Sequence, residues 1–282
     1  MRNLKPKLCC LHCSTAISGG QIKLRRDLRN CENSGQTLVI TALVISLLIL
    51  SVFYGVFEAS RQSEKDYLTT LNDYVFATKL GLEKTVISSL ANFSSGGTND
   101  ILATNLNKYI YFVGNQAYFG KFSIWFTLLD ILPYQSGLHL SWGSDGTGLS
   151  SAYANYSLVL IKNEANLQFK HETNITTMLE IDGTYNQLEG NVRNLTVTCR
   201  ILNEGEPGLA ENISLLYERD GDLSTQEWIV APSSNKIDYG NGTYIISFIA
   251  ETQSINDPML VSAQVYDMRG IFVLANVTCS EI

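Results

Sequence analysis

Hydrophobic residues are most concentrated near the N-terminus, in the only uncharged run of its length in the chain. Residues 37–57, TLVITALVISLLILSVFYGVF, contain 14 Leu, Ile, Val or Phe among 21 residues. At a rise of about 1.5 Å per residue, a helix of this length extends about 31 Å and matches a hydrocarbon core of roughly 30 Å. The pattern predicts a single-pass transmembrane helix.

The helical period continues beyond residue 57 without a break. Apolar side chains recur at spacings of three, four and seven residues, which is the pattern of one stripe along a helix. The stripe comprises Leu68, Leu71, Val75, Leu82, Val86 and Leu90. These positions predict a stalk whose stripe packs on the protein's own domain or on a second subunit, and the glycine pair at 96–97 is expected to end it.

A second helical region is predicted over residues 100–132. It holds eight aromatic residues between positions 109 and 126, a density that also occurs where a helix lies at the headgroup level of a membrane. A second span is disfavoured because polar side chains interrupt the segment at Asn115, Gln116, Lys121 and Asp130. Two alternatives stay open: an interfacial helix and, as the favoured one, a buried helix that covers one face of a sheet.

Beyond Pro133 apolar positions alternate with polar ones, as in strands that bury one face. Ten strands are predicted, at residues 138–142, 152–161, 167–171, 176–181, 191–202, 213–217, 228–231, 243–250, 260–267 and 271–278. Most are separated by turn sequences, such as GSDG at 143–146, DG at 182–183 and GNG at 240–242. Short strands at this spacing predict an antiparallel β-sandwich after the helices, so the predicted fold class is α+β.

The pattern divides the chain into five segments. They are a basic leader at 1–35, a transmembrane helix at 36–57, a helical stalk with its packing helix at 58–136, a β-rich region at 137–182 and a β-sandwich at 183–282. The last segment resembles immunoglobulin-like domains of prokaryotic surface proteins in NLTVTC at 194–199, NEGEPG at 203–208 and DYGNGTY at 238–244. This resemblance implies sandwich architecture rather than immunoglobulin ancestry, because the cysteine spacing is longer than that of the antibody pair.

The charge distribution gives the predicted helix a direction. Residues 1–35 hold seven Lys or Arg and two acidic residues, whereas the rest of the chain carries a net charge of −12. Cationic flanks stay on the cytoplasmic side of a membrane, so the N-terminus is predicted inside and residues 58–282 outside.

All sequons for N-glycosylation lie on the predicted outer side. Seven Asn-x-Ser/Thr sequences follow the apolar run and none precedes it. Their acceptor residues are Asn92, Asn155, Asn174, Asn194, Asn212, Asn241 and Asn276. The distribution predicts a surface at the outside of the plasma membrane that can carry glycans.

Cysteine placement agrees with this topology. Four cysteines precede the apolar run, where thiols stay reduced, and only Cys199 and Cys279 follow it. The isolated pair predicts a disulfide, which would contribute about 4.5 kcal/mol by closing a loop of about 80 residues. Two buried free thiols are the alternative.

The junction before the apolar run, NSGQTLVI at residues 33–40, resembles the class III signal of prokaryotic type IV pilin-like proteins of the archaeal type. The resemblance implies peptidase cleavage between Gly35 and Gln36 on the cytoplasmic face, with the apolar segment retained as the start of a long helix. Filament-building pilins usually carry Glu at the fifth mature position, where this chain has Ile40. A minor pilin-like or membrane-tethered protein is therefore implied, and an uncleaved signal anchor is the alternative.

No motif for catalysis or cofactor binding occurs in the sequence. It lacks a Gly-rich phosphate loop, HExxH and GxSxG, and its three histidines are scattered. The acidic outer segment disfavours nucleic acid, which needs cationic contacts. The sequence predicts a non-enzymatic surface protein without cofactor or metal, used for adhesion, assembly or envelope structure and able to form homo-oligomers or pilin-like assemblies. The alternative is a tethered ligand- or glycan-binding module in which Trp142 and Trp228 stack on sugar.

Overall fold

The computed structural model describes residues 27–116, 121–162, 165–221, 227–232 and 235–282. Most of the predicted leader, up to residue 26, lies outside these ranges, and the predicted processing positions Gly35 and Gln36 lie within a helix. The chain divides into two compact units, Met1–Thr69 and Thr70–Ile282. Both hydrophobic cores belong to the second unit.

Helix α1 (Asp27–Ser94) covers 68 residues and begins in the first unit. Its segment Leu38–Gln62 is the one stretch of the described residues that is long and apolar enough to cross a membrane. The 25 residues of this segment correspond to about 37 Å of helix, more than the roughly 30 Å of a hydrocarbon core. None of the segment is buried in protein, so its apolar surface is exposed.

In the second unit, the C-terminal part of α1 packs through the predicted stripe. Val75 is partly buried, and the fully buried members of the stripe are Leu71, Leu82, Val86 and Leu90. The helical period and the inward face of this segment are therefore confirmed. Helix α2 (Ile101–Asn115) follows after the predicted glycine break and buries Leu102, Leu106 and Val113.

Two tyrosine hydroxyls join α1 to α2. Tyr74 donates a hydrogen bond to the carbonyl of Val113 at 3.0 Å, and Tyr109 donates one to the carbonyl of Thr78 at 3.2 Å. The helices approach closely at Gly81, where an added Cβ would collide with the side chain of Tyr109. A residue with a side chain at this position would push the helices apart.

Twelve strands follow the helices in the described part of the second unit. They are β1 (Lys121–Leu128), β2 (Leu138–Trp142), β3 (Thr147–Lys162), β4 (Ala165–Gln187), β5 (Val192–Asn203), β6 (Glu206–Pro207), β7 (Ala210–Glu218), β8 (Trp228–Val230), β9 (Asn235–Asp238), β10 (Thr243–Glu251), β11 (Met259–Asp267) and β12 (Phe272–Glu281). Nearly all the predicted strands are among them.

The sheet consists of two antiparallel ladders. One joins β8, β7, β11 and β12 in that order, and the other joins β3, β4, β5, β10 and β9. Strands β1 and β2 both pair with β3, and β6 pairs with β5. The ladders are linked by a short parallel pairing of β12 with β4, in which Ser280 lies opposite Thr184 and Glu281 opposite Tyr185.

Two separate groups of buried side chains hold the second unit together. The helix–sheet core joins the inward faces of α1 and α2 to residues of β1, β2, β3 and the first part of β4. The sheet core combines side chains of β4, β5 and β10 with side chains of β7, β11 and β12. The predicted α+β class, with helices and a large mixed sheet, is therefore correct.

The predicted second helix is too long. Helix α2 ends at Asn115, and the last of the predicted helical aromatics lie in strand β1. In this strand Ile124 is buried and Phe122 and Phe126 pack on the helix–sheet core, whereas Trp125 is 57% exposed. Inward and outward residues thus alternate with the period of two that a strand requires. Aromatic side chains suit strands as well as interfacial helices, which is why their density alone misled the prediction.

The predicted turn at Asp182-Gly183 is also wrong. The two strands predicted on its N-terminal side, 167–171 and 176–181, form parts of the single strand β4, which continues through the dipeptide. Gly183 serves a steric purpose here, because an added Cβ would collide with the Sγ atom of Cys279. In the sequence, a glycine within a strand that allows another strand to approach closely cannot be told apart from a glycine in a turn.

Candidate functional site

A groove lies on the face of the β8-β7-β11-β12 ladder that points away from the sheet core. Along β11, Val261, Ala263 and Val265 belong to the sheet core, so the alternate residues Ser262 and Gln264 point to the opposite face. The groove has a volume of about 340 Å³ and is lined by Leu216, Trp228, Ser262, Gln264, Leu274 and Asn276. This volume is at the lower end of the roughly 300–1,000 Å³ that is usual for small-molecule sites.

Strand register determines how these side chains are arranged. Ser262 of the central strand β11 lies opposite Leu216 of β7 on one side and opposite Asn276 of β12 on the other. Trp228 comes from β8, where it lies opposite Glu218 of β7. Strand β11 therefore supplies the middle of the groove, β12 supplies one side, and β7 with β8 supplies the other.

The lining residues are neutral. Two leucines and one tryptophan supply apolar surface, and a serine, a glutamine and an asparagine supply hydrogen-bonding groups, with no formal charge among the six. A ligand that fits this lining has apolar faces that can stack on an indole and polar edges that can bond to amides and a hydroxyl. The geometry suits a neutral polar molecule better than an ion.

Asn276 differs from the other sequon asparagines. Six of the seven acceptor residues are exposed, whereas Asn276 is half buried because it lines the groove. Its Oδ1 atom is buried and has no hydrogen-bond partner among the described residues. The accessible part of the side chain therefore lies on its other atoms, which include Nδ2, the atom to which an N-linked glycan is attached.

Of the two tryptophans predicted to stack on sugar, only Trp228 lines the groove. Trp142 packs edge-to-face on Phe272, with 5.3 Å between the ring centres, and its Nε1 donates a hydrogen bond to Ser150 Oγ at 3.3 Å. The ring of Phe272 also packs on the ring of Tyr266, with 5.0 Å between the ring centres. Phe272 lies two residues before the groove residue Leu274 on β12, so this aromatic row borders the groove, but no ring contact joins the two tryptophans in the described part of the chain.

An ionic cluster around the buried carboxylate of Asp267 lies at the β11–β12 turn and was missed in the sequence. Arg269 Nε donates to the fully buried carboxylate of Asp267 at 2.8 Å, and Arg269 Nη1 donates to Glu204 at 2.7 Å. Arg269 Nη2 also reaches the carbonyl of Thr176 and the hydroxyl of Thr177, each at 2.9 Å. Burial by itself would lower the pKa of Arg269, but the hydrogen bonds to the two carboxylates outweigh it and raise that pKa. The cluster fastens this turn to β4 and to the β5–β6 turn.

A second buried cation, Arg193, is satisfied without a carboxylate. Its guanidinium donates to the carbonyls of Ile255 at 2.7 Å and Asp257 at 2.8 Å, and to Gln187 Oε1 at 3.1 Å. It also lies 4.6 Å from the centre of the Tyr185 ring, a cation–π contact. These contacts hold the loop between β10 and β11 against the end of β4, which is a structural role.

Cys199 and Cys279 lie in the sheet core as free thiols. The predicted disulfide is therefore not formed in the structure. Both cysteines are instead buried free thiols, which is the alternative that the sequence left open. Cys199 lies opposite Ile181 of β4, and Cys279 approaches Gly183 of the same strand. Burial raises the pKa of each thiol to about 12, so neither forms the thiolate that a nucleophile or metal ligand needs near neutral pH.

Within the described ranges, no group of three His, Cys, Asp or Glu side chains is placed to hold a metal ion. Comparison with known proteins does not assign the chain to a family: no protein-family model matches it, and no curated protein matches it. In the described part of the second unit, the groove is a feature on which a binding function can be argued.

Proposed function

We propose that the chain is a membrane-anchored protein of the cell surface, with a pilin-like leader, that presents its second unit outside the plasma membrane for adhesion, assembly or envelope structure. The observation that carries the proposal is the order of its parts. A cationic leader precedes the apolar segment Leu38–Gln62, and all seven sequons follow in the second unit, six of them with exposed asparagines.

The presented domain is proposed to be a non-enzymatic β-sandwich of the immunoglobulin-like type. Support comes from the sheet core, to which both antiparallel ladders contribute side chains. Further support comes from the parallel pairing between the ladders, which is limited to two residue pairs and leaves them free to stack rather than to continue as one layer. In such a sandwich, the face that carries the groove is directed to the outside.

The pilin part is tested by the N-terminal sequence of the protein purified from membranes. A mature chain that begins at Gln36 is expected, because cleavage would follow Gly35. A Gly35→Val variant should accumulate with its leader retained, whereas a Gly114→Val variant, altered at a glycine with no neighbour within 4 Å, should be processed as before. A wild-type chain that still begins at Met1 would refute the pilin-like part and leave an uncleaved anchor.

The outside location is tested separately by protease treatment of intact cells. Peptides from the second unit should be released from intact cells, and in the Gly35→Val variant, which keeps its leader, peptides of the leader should appear only after lysis. Glycopeptide mapping of the same samples gives an independent result, because a glycan on any of the seven sequons requires export. Protection of the second unit in intact cells would refute the proposed topology.

A second function is favoured by the groove: the presented domain binds a neutral saccharide or similar ligand through Trp228. Aromatic stacking and amide hydrogen bonds are the usual means of holding a sugar, and this lining offers both. Binding of a glycan array by the wild-type protein that is lost in Trp228→Ala, but kept in Trp125→Ala, is the expected result. Equal binding by the wild type and Trp228→Ala would exclude the groove.

A further inference from the structure

We propose that the groove holds the glycan attached to Asn276 of the same chain. The inference rests on the proposed export of the second unit and deepens its saccharide-binding function, since it names the source of the sugar. Its starting point is that the same side chain both lines the groove and begins a sequon, Asn276-Val277-Thr278.

The position of Asn276 directs an attached sugar into the groove. On β12, Val273 and Ala275 belong to the sheet core, so Leu274 and Asn276 point to the groove face. The buried Oδ1 of Asn276 leaves its accessible surface on the remaining atoms of the side chain. A sugar on Nδ2 therefore begins at the wall of the groove.

The width of the groove fits a sugar that extends from this wall toward the indole. Asn276 and Trp228 stand on the outer strands of the four-stranded ladder and are offset by two residues along it, so their backbones are about 16 Å apart at roughly 4.8 Å per strand spacing and 3.4 Å per residue. Between them lie Ser262 and Leu216, which line the volume of about 340 Å³. A chain of sugars would lie across β11 and reach the face of Trp228.

The chemistry of the lining agrees with a neutral sugar rather than with an anion. Gln264 and Ser262 offer donors and acceptors in the middle of the groove, where the hydroxyls of a sugar ring would lie. A tryptophan on the far side offers a stacking face. Since no lysine or arginine lines the groove, nothing in it compensates the charge of a phosphate or carboxylate.

Because the sugar is attached to Asn276, it can occupy the groove without a ligand from solution. A sugar that is attached to the wall of the groove has a high effective concentration there. Weak stacking on the indole and a few hydrogen bonds are therefore enough to keep it in the groove. Glycans on the six exposed asparagines start on open surface, whereas the one on Asn276 would start in the groove.

The test compares the full-length glycosylated protein, purified from membranes, with a Thr278→Ala variant. This change removes the sequon but keeps Asn276 in the groove, and Thr278 is exposed. Thr243→Ala, which removes the sequon of Asn241 in the same way, is the matched control. Glycopeptide mass spectrometry reports occupancy, and oxidation by N-bromosuccinimide with peptide mapping reports the accessibility of each tryptophan.

We expect Asn276 to be glycosylated and Trp228 to oxidise at least threefold faster in Thr278→Ala than in the wild type, with Thr243→Ala unchanged. Trp125, which lies on β1 away from the groove, serves as an internal standard whose rate should not differ among the three proteins. An Asn276→Gln variant should repeat the effect of Thr278→Ala while an amide remains in the groove. Thermal unfolding of each variant establishes that it is folded.

Three results would overturn the inference, and they are distinguishable. If Asn276 is glycosylated but Trp228 oxidises equally in all variants, the glycan projects away from the groove. If other sequons carry glycans and Asn276 does not, the groove is left for a free saccharide, and the second proposed function stands without this inference. If no sequon carries a glycan, both the inference and the glycosylated surface of the proposed function fail.

Discussion

Replacing Gly183 by alanine should destabilise the second unit, although the backbone there accepts any residue. Gly183 is not among the residues with positive φ, so alanine would gain about 0.4–1 kcal/mol from a less flexible unfolded chain. The new methyl group would, however, collide with Sγ of Cys279 and lie 3.6 Å from Cγ1 of Val277. Overpacking of a core costs about 1–3 kcal/mol, which leaves a net loss of about 1–2 kcal/mol in the free energy of unfolding.

The loss corresponds to a Tm lower by about 2–8 °C for a domain of this size, because 1 kcal/mol shifts Tm by about 2–4 °C at 150–250 residues. Circular dichroism of the full chain in detergent measures it. Gly114→Ala is the matched control: its site has no neighbour within 4 Å and lies in helix α2, so it should stabilise by up to about 1 kcal/mol.

A double-mutant cycle isolates the collision itself. Cys279→Ala removes the Sγ atom and should cost about 1 kcal/mol by itself. Combined with Gly183→Ala, it leaves space for the new methyl group, so the double variant should be more stable than the sum of the single effects by about 1 kcal/mol. Additive effects, or a Gly183→Ala variant as stable as the wild type, would refute the proposed close packing of β4 on β12.

Two substitutions, a labelling experiment and a pH titration also test the second unit. Arg269→Ala removes the cation beside the buried carboxylate of Asp267, which keeps hydrogen bonds from Thr177 Oγ1 and from the backbone N–H groups of residues 269 and 271. It should lower the free energy of unfolding by about 1.5–3 kcal/mol in urea titrations, with Arg269→Lys recovering only part of the loss. Leu106→Ala opens a cavity in the helix–sheet core and should cost about 2–5 kcal/mol, measured as a lower Tm. Cys199 and Cys279 should resist iodoacetamide in the native protein and both react in denaturant without a reductant; failure to react there would mean that they form a disulfide. Burial raises the pKa of these thiols from 9.0 to about 12. The protonated thiols therefore contribute in full to the free energy of unfolding below pH 9, and this contribution is lost as the pH rises toward 12. The urea midpoint of unfolding should fall over that interval.

The fold was predictable where one face of an element is buried in a regular period. Leu82, Val86 and Leu90 mark the inward side of α1, and the alternation in β10 marks a strand because it buries every second residue. The chain order of these elements then leads to an α+β class. Neither period, however, says which strands become neighbours.

Prediction failed where one residue type serves two structural purposes. Phe122, Trp125 and Phe126 are aromatic in a row that fits a helix, yet they alternate across strand β1. Gly183 looks like part of a turn, yet it makes room for Cys279. In both cases the deciding contact comes from a segment far away in sequence, so no local pattern contains it.

The lining of the groove was predictable only in part, because it too is formed by segments that are distant in sequence. Trp228 stood out as a large aromatic residue in a polar setting, and Asn276 stood out as a sequon, but 48 positions separate them. Their meeting depends on the pairing of β7 with β8 and β11 and of β11 with β12. Gln264, which gives the groove its central amide, carries no signal of its own in the sequence.

Strand β4 links the two β regions that the sequence separates at residues 182 and 183. It contributes Ile175 to the helix–sheet core and Leu179 and Ile181 to the sheet core. Its first part pairs with β3 and its second part with β5. Strand β4 is continuous and has hydrogen bonds on both edges. If one core unfolds, the half of β4 that belongs to it loses its register, and the other half then loses its register too. The helix-covered part and the groove-bearing part should therefore unfold together, so that a substitution in either core lowers the stability of the surface on which the groove lies.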